Sequence, residues 1–324
     1  MSTTTHVRPG APWNGGAMKS PLLLALTTCA ALSLLAGCAD TSHASEADDL
    51  RERLAALPDV ASATLDYTAP VTLDSGKLDL AVAMAGTDPE AVLAVVTTTY
   101  DAFVGTHHGE EGDLEVTWGT DALHLRSFEP DAKPADVRAA VEDALRVLDH
   151  ESGRADVTTQ DVEAAPHVRT RLTVTTRGTG AEDLVAALPG LDRRYGSLTN
   201  ADWTVEAGGW SLTSSGGLPQ QDQLALFDRL RAGLPAGATI ALGDDAWASL
   251  LLPVGTTPEA ASRVVDRQLA LLGGAGRASY DVQVGDGFAA SIVDGECTFD
   301  TGALGARLRQ EHGAACRKVA DPAE

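Results

Sequence analysis

Glycine- and aspartate-rich turn centres lie near residues 76, 120, 163, 208, 244 and 286, a recurrence of ~36 to 44 residues that a single irregular domain would not produce. Most of these centres are flanked by short alternating runs. Leu114 to Trp118 and Ala122 to Phe128 surround Gly119-Thr120-Asp121, Trp203 to Ala207 and Trp210 to Thr213 surround Gly208-Gly209, and Ser279 to Val284 and Phe288 to Val293 surround Gly285-Asp286-Gly287. Such spacing predicts β-hairpins. Between the hairpins the apolar residues change to a helical period. Helices are expected at Glu46 to Leu57, Pro89 to Val104, Pro134 to His150, Ala181 to Tyr195, Gln220 to Ala232, Pro258 to Leu272 and Thr301 to Lys318. Asp88-Pro89-Glu90 and Thr257-Pro258-Glu259 supply N-cap chemistry. Val92, Val95, Val96 and Phe103 fall on one helical face, as do Val137, Val141, Leu145 and Leu148.

Six hairpins alternating with seven helices predict an α+β fold of tandem βαββαβ (ferredoxin-like) units, with antiparallel sheets and helices packed on one face. The units are expected at 77–162, 168–243 and 246–324, with 46–76 as a helix–strand extension. Only four residues separate Leu242 from Trp247, so the second and third units are candidates for a shared sheet.

The chain has 324 residues, 44% hydrophobic and only 4% aromatic, so its core must come mainly from Ala, Val and Leu. Forty-six acids against 24 bases give a net charge of −22, which argues against direct binding of nucleic acid or anionic lipid by charge. The acids begin late. Residues 1–37 hold two bases, Arg8 and Lys19, and no acid. Met18, a candidate start, and Lys19 precede an apolar stretch from Leu22 to Leu35 that is short for a membrane span and reads as a signal peptide over 1–37.

That stretch ends in Leu35-Ala36-Gly37-Cys38, which resembles the lipobox of bacterial lipoprotein precursors. The resemblance implies cleavage before Cys38, diacylation of its sulfur, and anchoring at the extracytoplasmic face of the cell membrane. Residues 38–45 then form the lipidated cysteine and a polar tether. Outside the reducing cytosol, Cys297 and Cys316 form the natural disulfide pair. The same pair with His312 would be a zinc site lacking a convincing fourth ligand.

No nucleophile elbow, His-Glu-x-x-His, Ser-x-x-Lys or phosphate loop occurs, and Gly285-Asp286-Gly287 falls between strands instead of before a helix. No cofactor is expected. The segment 107–113 holds His107, His108, Glu110 and Glu111, whose imidazoles and carboxylates are weak metal-ligand candidates. Asp74 and Asp244-Asp245 read as turn residues more readily than as calcium ligands. Trp118, Trp203, Trp210 and Trp247 all lie at hairpins, so they are candidates for an aromatic binding face or for cross-strand packing. His124, Asp121 and Ser127 are the best approach to a hydrolytic set, but a strand would divide them between its two faces. The expectation is a non-enzymatic, lipid-anchored envelope protein that binds a protein partner or acts as a scaffold. A ligand-binding module for a cell-wall fragment or metal is the alternative, and an exported hydrolase a weaker one.

Overall fold

The computed structural model describes residues 42–316 apart from 72–73, 129–131, 163–164, 245–246, 274–278 and 294. The signal peptide and Cys38 lie outside the described residues, as do Asp245 and the turn centre at 163. Among the described residues the chain runs α1 (Ala44–Ala55), β1 (Val60–Thr68), β2 (Lys77–Met84), α2 (Pro89–Val104), β3 (Glu111–Trp118), β4 (Asp121–Ser127), α3 (Pro134–Leu148), β5 (Gly153–Val162), β6 (Ala165–Thr175) and α4 (Ala181–Tyr195). It continues through β7 (Ala201–Ala207), β8 (Trp210–Ser214), α5 (Gln221–Arg231), β9 (Thr239–Gly243), β10 (Trp247–Leu252), α6 (Pro258–Gly273), β11 (Ser279–Val284), β12 (Gly287–Val293), β13 (Glu296–Phe299) and α7 (Ala303–His312). None of the described helices is long and apolar enough to cross a membrane.

All thirteen strands form one mixed sheet in strict sequence order. Each hairpin pairs antiparallel, and each of α2 to α6 joins two adjacent parallel strands, as from β2 to β3 or β10 to β11. This differs from ferredoxin-like units, in which the crossover skips a position that the hairpin later fills. The expected boundaries at 162/168 and 243/246 fall inside the β5–β6 and β9–β10 hairpins, where strand pairing is continuous. A Cβ on Gly112 would stand 2.6 Å from the Phe103 ring, so glycine lets the end of α2 lie directly on the strand it feeds. The final strand, unresolved by the alternation pattern, is the short β13, antiparallel to β12.

Pairing lines up the buried apolar residues of neighbouring strands on one side, while Leu251, Phe288 and Val293 stay exposed. One row runs Val174, Val205, Leu212, Leu242, Ala248, Tyr280 and Ile292 across seven strands. A second runs Leu65, Leu80, Leu114, Leu125 and Val157. The helices cover this side only, and Val92, Val95, Val96, Phe103, Val137, Val141, Leu145 and Leu148 are all buried against it. Strand direction reverses at each hairpin while the chain steps one way across the sheet. With helices on one face, the five crossovers through α2 to α6 therefore alternate in hand, so that two or three of them take the rare left hand.

Local chemistry agrees with these elements. Asp88 Oδ1 accepts from the Glu90 backbone N–H at 3.1 Å and caps α2 ahead of Pro89. Gly208 and Gly209, both at positive φ (54° and 93°), make the two-residue turn between β7 and β8, a conformation that side chains resist. One buried polar pair in the core is fully connected: the Tyr280 hydroxyl donates to Gln268 Oε1, and Gln268 Nε2 donates to the Leu230 carbonyl at 3.1 Å.

Cys297 on β13 and Cys316 beyond α7 form a disulfide with Cα atoms 5.6 Å apart. It ties the last strand to the C-terminal helix across 19 residues. Replacing both cysteines with serine is expected to cost about 3 kcal/mol in urea unfolding, the chain-entropy value for a loop of that length. Amide exchange should rise mainly in β13 and α7; an unchanged midpoint would refute this.

Candidate functional site

Two arrangements stand out, one at the first edge of the sheet and one on its helix-free face. The first grows from the loop between α2 and β3. His107 and Glu110 are both buried there, and His107 Nδ1 lies 2.7 Å from Glu110 Oε2. Two residues from distant parts of the chain complete the cluster. His43, just before α1, puts Nδ1 3.0 Å from Glu110 Oε1, and the Tyr67 hydroxyl of β1 donates to the same oxygen at 2.9 Å. The His43 backbone N–H in turn donates to the Tyr67 hydroxyl at 2.9 Å. The His43 and His107 rings meet edge to face at 5.7 Å. Burial pushes the Tyr67 hydroxyl pKa up, and the Glu110 carboxylate adds to this against the opposing His43 N–H. His107 Nε2 is buried without a hydrogen-bond partner. The other two candidates of this segment, His108 and Glu111, are exposed.

The second arrangement is a row of charge. Across five strands the open face aligns Glu115, His124, Asp156, Arg171 and Asp202 as direct cross-strand neighbours. Their signs alternate when His124 is protonated, so each charge faces opposite charge on either side. Arg126, Arg154 and Arg169 lie in the same region; Arg126 is 3.8 Å from Asp113, and Arg169 Nη2 is 2.6 Å from Asp202. The row arises because residues one step out of phase with the apolar rows must point to the opposite face.

His124 is the centre of this row. It is hydrogen-bonded to Asp113 through Nε2, and Asp156 lies 3.4 Å from Nδ1. Chiefly through Asp113, then Asp156, and against partial burial, its pKa is raised to about 9. Burial works against ionisation of Asp113 and Asp156, but His124 with the neighbouring arginines outweighs it and holds both below the usual carboxylate range. Arg154 Nη2 approaches His124 Nδ1 at 2.8 Å, a contact that suits a neutral ring. The two flanking carboxylates favour the charged ring at neutral pH, and Arg154 retains its Nε bond to Asp156 at 3.2 Å without that contact.

The tryptophans do not form one aromatic surface. Trp118 and Trp203 are buried in the helix–sheet core, and Trp210 packs edge to face on Phe227 at 6.0 Å. Trp247 alternates onto the other face, where Nε1 donates to Asp281 at 3.4 Å. Cross-strand and helix packing therefore accounts for three of the four. His124, Asp121 and Ser127 also remain apart. Ser127 is buried, accepting from Thr159 Oγ1 at 3.0 Å, and Asp121 accepts from the Gly153 N–H at 2.8 Å. Asp74 accepts from the Gly76 N–H and Asp244 from the Ser215 N–H, as turn and loop residues do. With both cysteines joined to each other, His312 instead meets Asp266 at 2.9 Å.

Two measurements follow from these placements. Trp203→Ala should cost about 3 to 5 kcal/mol by opening the core, whereas Trp247→Ala should cost less than half as much; equal losses in urea unfolding would contradict the assignment of faces. For His124 the folded-state pKa is raised, so its contribution is complete below about pH 6.5 and disappears as pH rises through about 9. Urea midpoints of the native chain and of His124→Asn should therefore converge between pH 6.5 and 10, from an initial gap on the order of 2 kcal/mol after allowance for screening. Parallel pH curves would remove the linkage.

No protein-family model matches the chain, and neither the curated proteins nor the solved structures include a match to it.

Proposed function

We propose that this chain is a non-enzymatic extracytoplasmic protein, anchored to the cell membrane by lipid on Cys38, that binds a protein partner through the helix-free face of its sheet. The Leu35-Ala36-Gly37-Cys38 sequence supports the anchor. One observation carries the partner reading: the uncovered face presents a row of alternating charge across β3 to β7, in which Arg171 is exposed, with Arg126 exposed beside it. Four arginines in that region stand out on a chain whose net charge is −22. Complementary charge in a partner would give specificity and speed of encounter more than raw affinity. His124 pairs with Asp113 and Ser127 with Thr159, not with each other, which supports a non-hydrolytic role.

Two experiments test this reading. Cys38→Ser should shift the protein from the membrane pellet to the soluble fraction, and the mass of the mature native N-terminus should include two acyl chains; an unlipidated membrane-bound chain would overturn the anchor. A photo-reactive residue at Thr158 on the open face, on intact cells, should give a discrete adduct that the same residue at Arg229 on α5 does not. Equal adducts from both positions, or none from Thr158, would overturn the partner surface.

The alternative, a ligand-binding module, draws on the cluster around Glu110, whose donor set suits a metal better than a cell-wall fragment.

A further inference from the structure

The cluster at the first sheet edge has the residues of a metal site. His43, His107 and Glu110 each present a ligand atom, and the three atoms lie within 4.8 Å of one another. The ligand atoms around a tetrahedral zinc, bound at about 2.0–2.2 Å, stand roughly 3.4 Å apart. The widest separation here is thus within about 1.5 Å of that requirement. His43, more than one-third exposed, has room to move, and the Glu110 carboxylate already meets both rings at 2.7 and 3.0 Å.

The donors converge on the carboxylate: His107 meets it through Nδ1 at 2.7 Å and His43 through Nδ1 at 3.0 Å, so a cation placed among these atoms takes Nδ1 of each ring and an oxygen of Glu110. His107 further lines a cleft of about 560 Å³ beside α1, with Glu46, Asp49 and Glu52 at its walls. Those carboxylates draw cations toward the cluster.

We infer that His43, His107 and Glu110 form a zinc site that clamps the segment before α1 onto the loop between α2 and β3. Two imidazoles and one carboxylate select a borderline transition ion over calcium or magnesium, which take oxygen ligands. Tyr67 keeps its hydrogen bond to Glu110 Oε1 and orients the carboxylate, and water completes the coordination. The site deepens the ligand-binding alternative and does not depend on the partner surface: loss of the Thr158 adduct would leave zinc binding intact.

The test is zinc titration of the EDTA-stripped full chain in detergent, by calorimetry and by the visible spectrum of a cobalt(II) substitute. One zinc per chain is expected, with the intense cobalt bands of a four-coordinate site. His43→Ala, at a position exposed enough not to endanger folding, and Glu110→Gln should each weaken binding at least tenfold. His108→Ala and Glu111→Gln should not alter it. A second group, Asp266, Glu311 and His312, also places three donors together and serves as the control. Zinc uptake that survives His43→Ala but is lost in His312→Ala, or no uptake above the His43→Ala level, would overturn the site.

Discussion

The structure rests on one constraint: each strand pairs only with its neighbours in sequence, and the pairings keep one phase apart from irregularities at Val60/Ser62 and Val282/Gln283. A slip of one residue anywhere would carry a whole strand's apolar set to the open face. The rows from Val174 to Ile292 and from Leu65 to Val157 show that phase held across the sheet. The same constraint creates the charge row, since Glu115, His124, Asp156, Arg171 and Asp202 occupy the positions between. The core and the proposed partner surface are thus two sides of a single register. The helices follow from it as well: they must cover one face, and the alternating hand of the crossovers is the cost of doing so while the chain advances in one direction.

Much of this was legible in the sequence. Turn glycines and period-two alternation mark the hairpins because glycine alone adopts both positive-φ positions of a turn such as Gly208-Gly209 without strain. Helix periods and Asp88-Pro89 mark α2 almost to the residue. The strand order was not legible. A crossover that lands beside its own strand and one that skips a place need the same helix, the same hairpin and the same apolar pattern; what separates them is contact between elements. The tryptophans hold a smaller lesson. Trp203 is in phase with the buried Ala201 and Val205, so its inward direction could be read from its own strand, whereas proximity to a turn said nothing about which face it would take.

Half of the metal-ligand cluster was visible as His107 and Glu110, three residues apart in one loop. His43 and Tyr67 lie 67 and 43 residues before Glu110. No local pattern links them. They reach it because β1 pairs with β2 and β2 with β3, which stacks the start of the folded body against the loop entering β3. That convergence has no sequence signature at all, since it depends on how three separate segments are stacked.

Sequential pairing also makes the sheet a ruler. Neighbouring strands stand about 4.8 Å apart, so the path from β1 to β13, measured along the curved sheet, is roughly 58 Å. Each hairpin–helix unit contributes about 10 Å to that path. Removing or duplicating an internal unit would change the distance between the chain's first and last strands in steps of that size, while leaving each remaining strand beside a neighbour of the same phase. In an interleaved sheet the same edit would break pairings on both sides of the unit; here, reach and core packing are separable properties.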